Sequence, residues 1–168
     1  MTFLEKSDFM TDGKKSESNG FLVRDYRNGD YSQVCRLWEI TGLGRPERGD
    51  DEATINKSLS IGGRLLVLED KEKGAIAGTS WMTFDGRRIH LHHFGIDPAL
   101  QGRKLSKILL KESLKHVKAM GCQVKLEVHS KNLKAINLYK KSGFDYLGDY
   151  DIYIIRDTDS IDIEKINQ

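Results

Sequence analysis

Between Ile96 and Ser106 the chain passes from an apolar strand into a long helix through Asp97-Pro98-Ala99-Leu100-Gln101-Gly102-Arg103-Lys104. Pro98 cannot donate to a ladder and ends the strand. Gly102 lets the backbone come close to a ligand. The first N–H groups of the helix that follows have no intrahelical partner, and the helix dipole adds positive potential there. A short, basic, glycine-containing turn of this kind suits a phosphate. By itself it is also an ordinary strand-to-helix connection, and the residues downstream decide between the two.

A second strand ends at Glu127-Val128-His129-Ser130-Lys131-Asn132, followed by Ala135, Leu138-Tyr139 and Ser142-Gly143-Phe144. Taken together, the two stretches resemble the GNAT superfamily of acetyl-CoA-dependent N-acetyltransferases, over about residues 21–156. The family's pyrophosphate loop, Q/R-x-x-G-x-G/A, is similar to Gln101–Ser106, with Lys104 where glycine is usual and Ser106 at the second small position. Its N-x-x-A-x-x-x-Y-x-x-x-G-F segment is matched at Asn132, Ala135, Tyr139, Gly143 and Phe144. The spacing of Glu127 from Asn132 resembles the ribosomal-protein alanine N-acetyltransferases of that family. The resemblance implies an α/β fold: a central mixed sheet, splayed at the cofactor cleft and flanked by helices. It also implies transfer of an acetyl group from acetyl-CoA to a primary amine, by direct attack in a ternary complex.

Carried onto this chain, the resemblance assigns cofactor binding to Gln101, Gly102, Arg103, Lys104, Leu105, Ser106 and Lys107. Lys104, expected with helical φ, still offers its N–H, and with Lys107 it is in reach of the 3′-phosphate of CoA. Phe94, Gly95 and Ile96 would pair with the pantetheine arm, and Asn132 would bond the cofactor. Asn132 and Tyr139 are expected to point the same way from one helix.

Tyr139 would protonate the leaving thiolate, and Glu127 would take a proton from the acceptor, since an alkyl ammonium has a pKa of about 10. On the residues alone, Glu127 is also a solvated carboxylate paired with Lys125 or Lys131, and Tyr139 a core aromatic. His90 and His92 share one strand face and His93 is expected on the other. No third ligand is spaced to join them, so they are read as groove lining, and no metal is expected. Cys122 lacks a positioned base and is a poor nucleophile.

A competing class is a non-catalytic acyl-CoA-binding or sensing module. Lys104 keeps it open, and Glu127 with Tyr139 speaks against it. A nucleic-acid binder using the lysine-rich helix face would need interleaved aromatics, which are missing. Lys+Arg 27 against Asp+Glu 25 gives a net charge of +2, so nothing global calls for nucleic acid or a membrane. Cys35 and Cys122 make no disulfide framework, which fits a reducing cytosol. Met1–Gly20 has no leader-like apolar core, and no run is long enough to span a bilayer. The expectations are a cytoplasmic location, an amine acceptor of open identity, no nucleic-acid or membrane partner, and a homodimer as an open option.

Residues 1–18 read as a disordered tail, 19–157 as one domain and 158–168 as a C-terminal tail. Strands are expected over Phe21–Tyr26, Leu65–Leu68, Ala75–Phe84, Arg88–Ile96 and 124–128, with one or two more between Phe144 and Arg156. Asp85-Gly86 marks a hairpin. Helices are expected after an Asp30 cap and over Asp50–Ser60, Gly102–Met120 and Asn132–Ser142. In the third, Leu105, Ile108, Leu109, Val117 and Met120 share a face opposite Lys104, Lys107, Lys111, Lys115 and Lys118.

Overall fold

Leu65-Leu66-Val67-Leu68 shows how the sheet is covered. Alternate side chains of a strand point to opposite faces, and here both faces are buried. Leu65 and Val67 join an apolar cluster with Val34, Trp38, Ile55 and Trp81. Leu66 and Leu68 join a second one with Met82, Ile89, Leu105 and Leu109. A strand buried on both faces reads as a continuous apolar run. The structure, a computed structural model, describes residues 17–18, 20–44, 49–148 and 151–162.

Among the described residues six strands form one sheet in chain order: β1 (Glu17–Ser18), β2 (Phe21–Asp25), β3 (Arg64–Asp70), β4 (Ala75–Phe84), β5 (Arg88–Ile96) and β6 (Gln123–Leu126). Neighbours from β1 to β5 are antiparallel, and β5 pairs with β6 in parallel. The Asp85-Gly86 hairpin closes as expected, with Asp85 Oδ1 accepting from the N–H groups of Arg87 and Arg88. The parallel step needs a crossover, which is α3 (Leu105–Met120).

The cluster around Trp38 lies beneath α1 (Tyr31–Thr41) and α2 (Glu52–Ser60), and the other beneath α3 and α4 (Leu133–Lys141). Leu105, Leu109, Leu110 and Ser113 are the buried face of α3. Ser113 Oγ lies 2.7 Å from Ser80 Oγ of β4, so a buried polar pair fixes the seat of this helix. Val117 packs against the core only in part, and Met120, expected on the apolar face, is exposed.

Other expectations shift. Asp30 holds the N-cap position of α1, yet its carboxylate accepts from Arg24 and from the Arg27 N–H instead of capping the helix. Glu17–Ser18 pair with β2, which overturns the last two residues of the expected tail; residues 1–16 and 163–168 lie outside the described residues. The strands expected from Phe144 to Arg156 are not formed in residues 144–148 and 151–156, and Ile152, Tyr153, Ile154 and Ile155 are exposed. A β-prone run becomes a strand only against a ladder partner, and none of these residues has one among the described residues. No helix among the described residues is long and apolar enough to cross a membrane.

Candidate active site

The last two strands of the described sheet part company at the site. β5 and β6 are paired from Arg88 with Gln123 to Leu91 with Leu126. Beyond that register β6 stops, while β5 runs on to Ile96, still held to β4 by Gly95 opposite Thr79 and Ile96 opposite Gly78. Among the described residues, the edge of β5 from His92 to Ile96 therefore has no strand beside it on the β6 side. Phe94, Gly95 and Ile96, the residues expected to hold an extended ligand arm, lie on this open edge, and Glu127 falls one residue past the last pair.

Asp97 ends β5. Its N–H donates to Ala77 O at 2.8 Å, and its carboxylate accepts from Ala99 N at the start of the 3₁₀ turn Pro98–Leu100. Gly102 follows with φ +81 and open space where a Cβ would stand. Lys104 has φ +64, so the helical φ expected for it is wrong: it enters α3 through the left-handed region. Glycine is at ease there, and an L side chain costs roughly 1–2 kcal/mol.

None of the backbone N–H groups from Gly102 to Ser106 has a partner among the described residues, and α3 has no side-chain cap. That row of donors at a helix N-terminus, beside an open glycine, fits a pyrophosphate. Arg103 folds back so that its guanidinium lies 4.9 Å from the centre of the Phe21 ring. Farther along, a groove of about 760 Å³ opens between α3 and α4, walled in part by Lys107, Lys111, Lys115, Lys118, Lys134 and Lys141.

Tyr139 is buried on α4 and packs edge-on against Phe94 at 6.0 Å and Phe144 at 5.6 Å. The structure thus joins the tyrosine to the open strand end. Burial pushes its phenol up to about 12. Asn132 caps α4 through Oδ1, which accepts from Ala135 N at 3.2 Å, and it is exposed. Its side-chain oxygen is thus engaged at the N-terminus of α4, two turns before the buried Tyr139. Glu127 is exposed, with Oε1 3.8 Å from both Lys125 Nζ and His90 Nε2. No hydrogen bond joins it to Tyr139, and no ion pair joins it to Lys131.

The histidines differ from expectation. A register shift between Thr79 and Trp81 and a φ of +47 at His93 break the alternation of β5. His93, expected on the face opposite His90 and His92, lies 5.3 Å from the His92 ring and 5.2 Å from Trp81. His90, His92, Trp81 and Trp38 stack as near-parallel rings at 4.7, 5.1 and 5.6 Å.

Burial lowers the pKa of all three imidazoles. His92 falls to about 3, and the lowering of His90 and His93 is opposed by Glu127 and Asp50 respectively. Among the described residues no group of three His, Cys, Asp or Glu is placed to hold a metal ion. Sequence reasoning missed Thr79 and Asp50 as partners of His93, and periodicity carries no signal for a bulge.

The model of the Acetyltransferase (GNAT) family matches residues 32–144. Among solved structures, a GNAT-family acetyltransferase from Staphylococcus aureus superposes with a TM-score of 0.65 at 18% identity, over 73% of this chain and 82% of that one. The ribosomal-protein-S18-alanine N-acetyltransferase of Escherichia coli gives 0.63 at 19% identity, over 74% and 77%. A putative acetyltransferase from Salmonella typhimurium, solved with acetyl-CoA, gives 0.62 at 20% identity, over 76% and 80%. At these identities the structures speak for the fold, and the family match covers most of the chain, both motifs included. The chain belongs to the GNAT family and is an acetyltransferase.

Proposed function

We propose that this protein moves an acetyl group from acetyl-CoA to a primary amine, on a peptide or a small molecule, by direct attack in a ternary complex. The observation that carries the reading is the row of N–H groups from Gly102 to Ser106, unpartnered among the described residues, beside the strand end that β6 leaves open. Those donors would bind the pyrophosphate, with charge from Lys104 and Lys107. Phe94, Gly95 and Ile96 would take the pantetheine arm as an added strand. Acetyl-CoA, when bound, supplies the thioester carbonyl that the amine attacks. The acetyl-CoA seen with the Salmonella neighbour supports this choice of donor.

Glu127 is the base in this reading. Its carboxylate takes the ammonium proton, directly or through water, and its exposure lets that proton pass on to solvent. Tyr139 keeps its own proton throughout the neutral range, because its pKa is about 12. A free thiol titrates at about 8.5, so Tyr139 serves the departing sulfur chiefly as a hydrogen-bond donor. The acceptor enters on the side of the connection between α1 and α2, which meets the β5 bulge through Leu43, Gly44 and Asp50.

The test is thiol release from acetyl-CoA with a panel of peptides, polyamines, amino acids and aminoglycosides. Amine-dependent thiol release is the expected result. Tight CoA binding with transfer to no amine would overturn the reading and favour a sensing module.

A further inference from the structure

His93 and Lys104 are the two residues other than glycine with positive φ among those described. Strained backbone persists where its surroundings hold it, and it gathers at functional sites. The strain at His93 (φ +47) turns its ring toward the connection between α1 and α2. Both described ends of that connection converge on the ring. A Cβ at Gly44 would stand 2.5 Å from His93 Nε2, so any larger residue there would have to displace the ring. At the far end, Asp50 Oδ1 lies 3.1 Å from the same nitrogen, one residue before Asp51 caps α2.

The ring is wedged against Trp38 at 4.4 Å and Trp81 at 5.2 Å. Its two nitrogens are buried: Nε2 has Asp50 Oδ1 against it at 3.1 Å, and Nδ1 has no hydrogen-bond partner among the described residues. A histidine kept only for packing has its buried nitrogens satisfied.

We propose that His93, with Asp50 against it, seats the described ends of the α1–α2 connection, Gly44 and Asp50, on the β5 bulge and so positions the acceptor amine. His93 is then a positioning residue for the acceptor and not for acetyl-CoA. The inference rests on the functional reading above, which puts the acceptor on this side of the cleft. It adds that acceptor affinity is set through a ring whose next neighbour in sequence, Phe94, begins the donor-binding strand end.

The test uses the full chain with His93→Gln and Asp50→Asn. Two readouts are taken: hydrogen exchange of peptides covering Gly42–Gly44 and Gly49–Glu52, and the KM for each substrate from thiol release. Exchange in these peptides should quicken about tenfold or more while α3 stays protected. The acceptor KM should rise about tenfold and the acetyl-CoA KM stay within about twofold. Unchanged exchange overturns the proposal, as does faster exchange with an unchanged acceptor KM. If His93→Gln fails to fold, Asp50→Asn, which keeps its shape, decides both readouts. A wild-type protein that acetylates an amine while the variants keep its acceptor KM refutes this inference alone. A wild-type protein that transfers to no amine refutes the functional reading, and this one with it.

Discussion

Thr79 Oγ1 donates a 2.8 Å hydrogen bond to the backbone carbonyl of His93, and the same oxygen accepts one of 2.8 Å from Trp38 Nε1. One fully buried hydroxyl therefore ties the β5 bulge to α1 across the sheet. Thr79→Val keeps the shape but leaves the indole N–H buried without an acceptor. An orphaned group of that kind costs about 1–3 kcal/mol. Denaturant unfolding should show a lower midpoint with an unchanged slope. A variant as stable as wild type would mean that the clamp contributes nothing.

Lys104→Gly should stabilise the protein by up to about 1 kcal/mol, since glycine meets no steric penalty at φ +64. The lysine supplies charge to the loop and not an essential contact, so CoA affinity should stay within about tenfold of wild type. Thermal melting and CoA titration of the same variant check both statements. A destabilised variant would contradict the strain assigned to this residue.

Acid should weaken the fold before the carboxylates titrate. His92 is held at about 3 by burial, aided by His90, His93 and Lys125, against about 6.5 in an unfolded chain. Between those values the unfolded chain takes up a proton that the folded chain refuses. Stability therefore rises with pH across this window and is lost on acidification, by up to about 1.4 kcal/mol per pH unit from this group. His90, His93 and His116 are shifted in the same direction. The melting temperature should fall between pH 7 and pH 5, and His92→Gln should flatten the slope. Identical slopes would remove His92 from the account.

Tyr139→Phe removes a hydroxyl and keeps the ring packing against Phe94 and Phe144. Turnover should drop by roughly 10²- to 10³-fold, the worth of one hydrogen-bond donor to developing charge, with little change in CoA affinity. Glu127→Gln should lose a similar amount and recover in part at high pH, where the free amine is abundant. Rate against pH for wild type and both variants separates the two roles, since only the loss of the base Glu127 is offset at high pH. Full activity in both would make these side chains structural.

The sequence alone determined the elements whose signals are local. Arg88–Ile96 and Ala75–Phe84 read as strands to the residue, because alternation and a two-residue turn lie within the segment itself. The loop from Asp97 to Lys104 and the segment from Asn132 to Phe144 were legible for the same reason, since spacing along one chain carries them. Tertiary structure decided what depends on a partner. The side of the sheet that His93 faces was set by a register shift against β4, and the left-handed entry of Lys104 by the path from β5 into α3. The Ile152–Ile155 run, apolar enough for a strand, stays without one because no ladder edge meets it among the described residues. Side-chain periodicity belongs to one segment, whereas register, bulges and strand ends belong to pairs of segments, and only folding brings those pairs together.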